Sequence, residues 1–210
     1  MSDTYILISQ IYNTNKIRFN EMLKTLNNNI ENKNIEEIIL LNEKHINLDI
    51  NSSKVKEIII NNRLTYKIAF DYAEYNIPAN KIVILANSDI WFDNSIINIS
   101  KYNLDNQIIA LSRYDIKENS DYKLFTRPDS QDSWIFKNPI KLQHDYNIEL
   151  GRGGCDNRIA WIIYNSKKDN IKYNIINPAK TIKSYHEHLY NIRNWTPGEI
   201  KGPYMWLYIV

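Results

Sequence analysis

The sequence predicts an α/β protein with a mostly parallel central sheet, flanking helices and a mixed-sheet C-terminal half. Over residues 5–115, short apolar runs typical of buried strands alternate with segments whose apolar residues recur at helical spacing. The second half contains more strand-like runs than helical ones. Strands and helices that alternate at this spacing form βαβ units, whose crossovers are right-handed.

In the first half, each predicted strand is an apolar run and each predicted helix has one apolar face. The run KIVILANSDIWF opens with the strongest buried-strand pattern in the chain. Pro78 closes the second helix, because proline cannot continue a helix. The predicted strands are residues 5–12, 35–43, 56–62, one that opens the run 81–92 and a run from 107, and the predicted helices are 16–29, 63–75 and a stretch after 92.

In the second half, the sequence predicts strands in YKLFTR, DSWIFK and IKYNIINPAKTIKSYHEH. It also predicts one helix at about residues 156–166. It has no repeat, linker or low-complexity tail. We therefore expect one domain over residues 1–210.

Composition excludes several classes of protein. The 210 residues are 43% hydrophobic and 24% charged, which is ordinary for a globular chain. The net charge of +2 does not suit a protein that coats nucleic acid or an anionic membrane. The single Cys155 excludes an internal disulfide and multi-cysteine metal sites. The sequence has neither a signal-peptide pattern nor an apolar run near the ~20 residues of a membrane span, so we expect a cytoplasmic protein.

The most informative polar residues follow the strongest strand. Ligands of open α/β sheets bind outside the carboxyl ends of the strands, which is where Asn87, Ser88 and Asp89 are expected. A carboxylate there suits a hard divalent cation that in turn binds a diphosphate. Alternatively, Asp89 only ends the strand, and Asp93 caps the helix that begins near Asn94.

Three of the five glycines lie within residues 151–154. They indicate positive φ angles or a close backbone approach. Asp156 follows them and opens a helix. It either caps that helix or provides a carboxylate that takes a proton at a loop-to-helix junction. The position of Cys155 suits a small residue in a tight turn better than a nucleophile.

His186 and His188 lie at i and i+2, so in a strand they point to the same face and can share a metal. A zinc hydrolase site is not expected, because it needs further ligands and the other histidines are isolated.

Arg63 follows the third strand, where it contacts a base or a phosphate or is simply solvated. Trp134, beside Asp132, either stacks on a sugar ring or, as expected of a lone tryptophan, fills the core.

The glycine-rich fingerprints of dinucleotide-binding proteins and P-loop proteins are absent, as is the nucleophile elbow of hydrolases.

Six stretches together resemble the glycosyltransferases of the GT-A fold: ILANSDIWFD, ALSRYD, SQDSWIF, GGCDNRIAW, NPAKTIKSYHEH and RNWTPGEIKGPY. Their order and spacing cover most of the chain from Arg63 onward. The resemblance is closest to short members from bacterial polysaccharide clusters and large DNA viruses, such as the N-terminal domain of a multi-domain viral rhamnosyltransferase.

The resemblance implies a hexosyltransferase that uses Mn²⁺ or Mg²⁺ and acts in polysaccharide biosynthesis. It would move a sugar from a nucleotide-diphosphate donor, a UDP-sugar, to a hydroxyl of a glycan or glycoprotein with inversion. The nucleotide-sugar half would span about 1–115 and the acceptor half about 116–210. If the protein is viral, it would act in the host cytoplasm.

The resemblance also assigns roles by position. Asn87-Ser88-Asp89 resembles the Asp-x-Asp metal motif with asparagine in place of the first aspartate, and His186 or His188 resembles the late histidine of the metal shell. Asp156 resembles the acceptor-side general base, with Asp132 as the alternative. The implied donor contacts are Gln10, Arg63, Asn87, Ser88, Asp89 and Arg113, and the implied acceptor contacts are Trp134, Gly154 and Asn157.

Two other functions stay open. A sugar nucleotidyltransferase usually has a glycine-rich basic loop after its first strand, and SQIYNTNKIRF contains no glycine. A non-catalytic domain that binds a nucleotide sugar or a glycan is compatible with Asn87 in the metal motif.

Overall fold

The computed structural model describes residues 4–117, 121–189, 196 and 198–210. It confirms the α/β class, with a mostly parallel central sheet and helices on both faces. The elements are β1 (Tyr5–Ser9), α1 (Lys16–Glu31), β2 (Ile35–Asn42), β3 (Val55–Ile59), α2 (Tyr66–Asn76), β4 (Ile82–Ala86), β5 (Ile90–Phe92), a 3-10 helix (Asn94–Lys101), β6 (Gln107–Leu111), β7 (Tyr114–Ile116), β8 (Tyr122–Leu124), β9 (Ser133–Lys137), α3 (Cys155–Tyr164), β10 (Lys167–Lys168), β11 (Ile171–Lys172), β12 (Asn174–Ile176) and β13 (Ser184–His186).

The central sheet has seven strands in the order β12-β6-β9-β4-β1-β2-β3. Its neighbours are parallel except for β9, which runs antiparallel between β4 and β6. The start of β9 therefore meets the carboxyl ends of β4 and β6 at one edge. There the backbone N–H of Asn87 donates to Asp132 O at 3.0 Å, and that of Asp132 donates to Leu111 O at 3.1 Å.

The core forms on both faces of this sheet. Successive residues of β1 alternate between the two faces, so that Ile6 and Ile8 pack with α2 and α3, while Tyr5 and Leu7 pack with α1 and the 3-10 helix. Trp134 belongs to the first of these clusters. It is only 1% exposed and meets the ring of Tyr66 edge-on, with centroids 6.1 Å apart. The expectation that Trp134 contacts an acceptor is therefore wrong, because its indole is enclosed in the core.

The run over residues 81–92, whose opening is the predicted strand, contains two strands in different sheets. Beyond β4 the chain turns at residues 87–89, where the Ile90 N–H donates to Asn87 O at 3.2 Å. It then enters β5, which belongs to a second sheet with the order β5-β13-β7-β8. The run from residue 107 divides in the same way into β6 and β7. Polar residues 87–89 mark the end of β4, but the apolar pattern that resumes after them does not show that β5 joins another sheet.

The helix expected after residue 92 is a 3-10 helix, and Asp93 is its N-cap. The Asp93 Oδ1 accepts from the Ser95 N–H at 2.8 Å, and Oδ2 accepts from the Tyr185 hydroxyl at 2.9 Å. Asp93 therefore has the structural role that was one of its two predicted alternatives. Among the described residues, no helix has the length and apolar character needed to span a membrane.

Two asparagines of α1 cover the outer edge of β5. Asn29 donates to Ile90 O at 2.9 Å and accepts from the Phe92 N–H at 3.1 Å. Asn32 donates to Phe92 O at 2.9 Å. These amides take the place of a neighbouring strand, so that the backbone groups of an edge strand are satisfied. They also fix the position of the second sheet, and thus of Asp89, which directly precedes β5.

We predict that Asn29→Ala lowers the free energy of unfolding by about 2–4 kcal/mol, because it leaves two buried backbone groups unpaired. Asn27→Ala is the matched control, since Asn27 is an exposed residue of the same helix, and we expect it to change stability by less than about 0.5 kcal/mol. Urea denaturation of both variants checks this. Equal stabilities of the two variants would contradict the role given to Asn29.

Candidate active site

An open cleft of about 890 Å³ lies at the carboxyl edge of the central sheet. The second sheet, the start of α3 and the C-terminal segment (residues 198–210) border it. The predicted site residues that line it are Gln10, Arg63, Asn87, Ser88, Asp89, Arg113, Asp132, Gly154, Asp156, Asn157, His186 and His188.

Asp89, His186 and His188 come together on one wall of this cleft. One potential ligand atom from each lies within 4.8 Å of the others. The register of β5 and β13 causes this, since Ile90 pairs with His186 and the Glu187 N–H donates to Asp89 O at 3.0 Å. The i, i+2 spacing then places the His188 ring 5.3 Å from the His186 ring.

The triad contains buried polar atoms that lack partners. Within the described ranges, Asp89 Oδ1 and His188 Nε2 are buried and make no hydrogen bond. Leaving such atoms unpaired costs about 1–3 kcal/mol each. The third ligand atom is His186 Nε2, which contacts Asp89 Oδ2 at 2.8 Å, while Nδ1 contacts Asp115 Oδ1 at 2.9 Å. A carboxylate that orients an imidazole in this way is typical of metal sites. One carboxylate and two imidazoles fit a divalent cation such as Mn²⁺.

The charges of the triad follow from its surroundings. Burial disfavours the ionised form of Asp89, but His186 and Arg18 outweigh burial and hold its pKa well below the usual range. Burial also opposes a charged His186, but Asp89 and Asp115 outweigh it and raise the His186 pKa to about 9. A cation that binds His186 would therefore displace the imidazole proton. Burial and the positive charges of Arg18 and His186 lower the pKa of His188. A neutral His188 keeps a lone pair that a cation can use.

Sequence reasoning missed Arg18 and the role of Asp115. The Arg18 guanidinium pairs with Asp89 Oδ2 and, at 3.1 Å, with Glu21 Oε2. A helix that follows the first strand of a parallel sheet begins at the carboxyl edge, so its first turn faces the ligand site. That position was the available signal for Arg18. Asp115 had none, since its role depends on the pairing of β7 with β13.

Arg113 forms a second charged cluster beside the triad. Its guanidinium contacts Asp115 at 2.7 Å and Asp132 at 2.6 Å. Asn87 donates from Nδ2 to Asp132 Oδ1 at 2.9 Å. The Asn87 side chain thus holds Asp132 and is not part of the metal triad, in contrast to the first residue of an Asp-x-Asp motif.

Asp156 also lines the cleft, in the first turn of α3. Its Oδ1 accepts from the Tyr66 hydroxyl at 3.3 Å and from the Cys155 thiol at 3.2 Å. Burial, followed by the negative charge of Asp132, raises the Asp156 pKa to about 7. A carboxyl group with such a pKa exchanges protons at neutral pH. Burial also raises the pKa of the Cys155 thiol, which disfavours a nucleophilic thiolate.

The glycines before Asp156 shape its loop as predicted. Gly151 and Gly154 have φ angles of +73° and +90°. Gly154 is the N-cap of α3, so the alternative that Asp156 caps this helix is wrong. A Cβ atom on Gly154 would lie 3.0 Å from Ile200 O, because the C-terminal segment packs directly on this loop.

Asn157 has a structural contact in place of the expected acceptor contact. Its Nδ2 donates to Met205 O at 2.9 Å, and its backbone O accepts from the Met205 N–H at 3.0 Å. The amide is therefore used to attach the C-terminal segment to α3. Sequence reasoning had no signal for this, because the two residues are distant along the chain.

Arg63 and Gln10 lie at another part of the cleft. The Arg63 guanidinium lies over the Tyr12 ring, 4.7 Å from its centroid. Its Nε is buried without a hydrogen bond, and the described part of the chain gives it no carboxylate partner. Gln10 is buried at the end of β1. The free guanidinium suits an anionic or planar ligand.

Comparison with known proteins gives information on the fold. No family model and no curated protein sequence matches the chain. The structure of GalNAc-T7 with UDP, GalNAc and Mn²⁺ is similar with a TM-score of 0.52 at 10% identity, covering 95% of this chain and 46% of that one. The chain has a GT-A-like fold. At this identity the similarity extends to the fold alone, and the narrower resemblance to bacterial and viral members stays a prediction.

Two other structures align with lower TM-scores. HddC from Yersinia pseudotuberculosis has 15% identity and a TM-score of 0.46, covering 89% of this chain and 93% of that one. The inositol-1-phosphate CTP transferase from T. maritima has 10% identity and a TM-score of 0.47, covering 89% of each chain. We base no inference on these weaker alignments.

We predict that the wild-type protein binds Mn²⁺ and that His188→Gln weakens binding at least about tenfold, since even outer-shell changes at metal sites cost 10–100-fold. His144→Gln is the control, because His144 is an exposed histidine that contacts the Trp161 ring outside the cleft. Isothermal titration calorimetry measures the affinities. If His188→Gln binds Mn²⁺ as tightly as wild type, the proposed ligand set is incorrect.

Proposed function

We propose that this protein is a metal-dependent glycosyltransferase. It moves a sugar from a nucleoside-diphosphate donor, a UDP-sugar, to a hydroxyl of a glycan. One observation supports this above all. A single cleft contains a triad of cation ligands with unpaired buried atoms, and also a carboxyl group whose pKa is raised to about 7.

The donor would bind at the carboxyl edge of the central sheet. Asp89, His186 and His188 would hold Mn²⁺ or Mg²⁺, and the mixed oxygen and nitrogen ligands favour Mn²⁺. The bound cation would act as a Lewis acid that stabilises negative charge on the departing diphosphate. Arg63 and Gln10 would contact the nucleotide, because Arg63 offers an uncommitted guanidinium beside the Tyr12 ring.

Asp156 is the proposed general base. An acceptor hydroxyl is a weak nucleophile at neutral pH, and a carboxylate that takes its proton during attack accelerates the step. Asp132 is less suited to this role, because Arg113 and Asn87 both bind its carboxylate. Asp132 then acts on Asp156 through its charge, which helps to raise the Asp156 pKa. A base that activates the acceptor directly corresponds to an inverting transfer.

Two competing functions differ in what they would release. A nucleotidyltransferase would join a nucleoside triphosphate to a sugar phosphate and release diphosphate, and the glycine-free loop after β1 disfavours this. A non-catalytic domain would bind nucleotide or glycan without turnover. The presence of Asp156 in the same cleft as the cation triad favours transfer, since binding alone needs no base.

The first experiment is a donor panel. The purified protein is incubated with common nucleotide sugars and a mixture of glycan acceptors, with Mn²⁺ or with EDTA, and released nucleoside diphosphate is measured. We expect metal-dependent release from one donor and loss of release in Asp89→Ala. Nucleoside triphosphates with sugar phosphates form the second panel. Diphosphate release in that panel alone would identify a nucleotidyltransferase, and nucleotide binding without turnover in either panel would identify a binding domain.

We predict that Asp156→Asn lowers the transfer rate at least about 100-fold, because general-base catalysis contributes 10²–10⁴-fold. In the wild type only the ionised Asp156 accepts a proton. The rate should therefore rise with pH below about 7 and level off above it.

Asp132→Asn distinguishes the two candidate bases. It removes a negative charge that raises the Asp156 pKa, so the inflection of the pH–rate profile should move to lower pH while activity is retained. A wild-type rate in Asp156→Asn together with an inactive Asp132→Asn would assign the base to Asp132 instead.

A further inference from the structure

The aromatic side chain that sequence reasoning placed in the acceptor site is buried, but another tryptophan lines the cleft. Trp206 lies in the C-terminal segment and is 55% exposed. The two adjacent side chains face the core instead. Leu207 is buried in the core, with 4% exposure, and Met205 packs against the same core cluster. Extended chains point successive side chains to opposite sides. Trp206 therefore points away from the core and into the cleft.

Hydrogen bonds on both sides fix the backbone of Trp206. Asn157 binds both the N–H and the carbonyl of Met205, at 3.0 and 2.9 Å. On the other side, the Leu207 N–H donates to Pro128 O at 2.9 Å. Because Asn157 directly follows Asp156 and Met205 directly precedes Trp206, these bonds attach the tryptophan backbone next to the proposed base.

The chemistry of an indole at this place suits a sugar ring. A tryptophan presents a large, rigid apolar face at low cost in side-chain entropy. Among the described residues no aromatic ring or cation stacks on Trp206, and its side chain is exposed in the cleft lining. A pyranose has an apolar face of C–H groups that stacks on such a ring, while its hydroxyls stay directed at polar groups.

We propose that Trp206 is the stacking platform for the acceptor sugar, which it holds beside Asp156. The acceptor is accordingly a saccharide. The sugar bound at Trp206 either provides the hydroxyl that is glycosylated or is adjacent to the sugar that provides it. This inference rests on the proposed glycosyltransferase function and adds to it the residue that holds the acceptor sugar.

The test compares Trp206→Ala and Trp206→Phe with Tyr208→Ala, a control in the same segment whose side chain is 74% exposed. The acceptors are p-nitrophenyl glycosides of glucose, galactose, mannose and rhamnose. We expect Trp206→Ala to raise the acceptor KM about tenfold, because it removes the apolar face on which the sugar would stack. Trp206→Phe should recover most of this loss, and Tyr208→Ala should match wild type.

Donor hydrolysis without acceptor separates acceptor binding from a structural effect. It uses the nucleotide site and water, so we expect Trp206→Ala to hydrolyse donor and bind UDP with Mn²⁺ as wild type does, at the same thermal midpoint. An unchanged acceptor KM in Trp206→Ala would overturn the proposal. Loss of UDP binding together with acceptor binding would also overturn it, because the residue would then be structural.

A saccharide array tests the inference independently of turnover. Fluorescently labelled wild type and Trp206→Ala are applied with UDP and Mn²⁺, and we expect saccharides that retain only the wild type. If no saccharide retains the wild type while UDP still binds, the acceptor assignment is overturned and the nucleotide site stands. If UDP itself does not bind, the proposed function is what fails.

Discussion

A network of alternating positive and negative side chains lies at the carboxyl edge of the central sheet and connects the two sheets around the cleft. Burying a charge is expensive unless opposite charges and hydrogen bonds surround it. Here each of the three carboxylates contacts cationic groups, and the imidazole lies between two carboxylates. The members, in order of contact, are Arg18, Asp89, His186, Asp115, Arg113 and Asp132.

This compensation determines which groups remain for a ligand. Arg113 and Asp132 form an ion pair with each other, so they stabilise the structure of the site more than they bind a ligand. The groups left over are Asp89 Oδ1, the neutral His188 and the Arg63 guanidinium, all of which line the cleft. Asp156 forms no ion pair with these residues, but its burial and then the negative charge of Asp132 raise its pKa to about 7. The cleft thus contains both a candidate cation site and a candidate proton acceptor.

Local pattern predicted most of the elements, because apolar periodicity reports burial directly. β1, β2, β9 and the three α-helices lie close to the predicted positions. The pattern did not show where the chain passes from one sheet to the other, as between β4 and β5. Part of the stretch RNWTPGEIKGPY, residues 193–195 and 197, lies outside the described residues. The single-domain assignment and its two halves stay predictions.

By itself, the sequence determined the α/β class, the polar residues at the strand ends, the paired histidines and the glycine loop before Asp156. These are local features, encoded by residues a few positions apart. Only the tertiary structure decided that Asp89 meets Arg18 and His186, which lie 71 and 97 positions away, and that Asn87 holds Asp132. It also decided that Trp134 is core and Trp206 lines the cleft. The physical reason is that strand order and register bring distant residues together, and neither leaves a periodic signal along the chain.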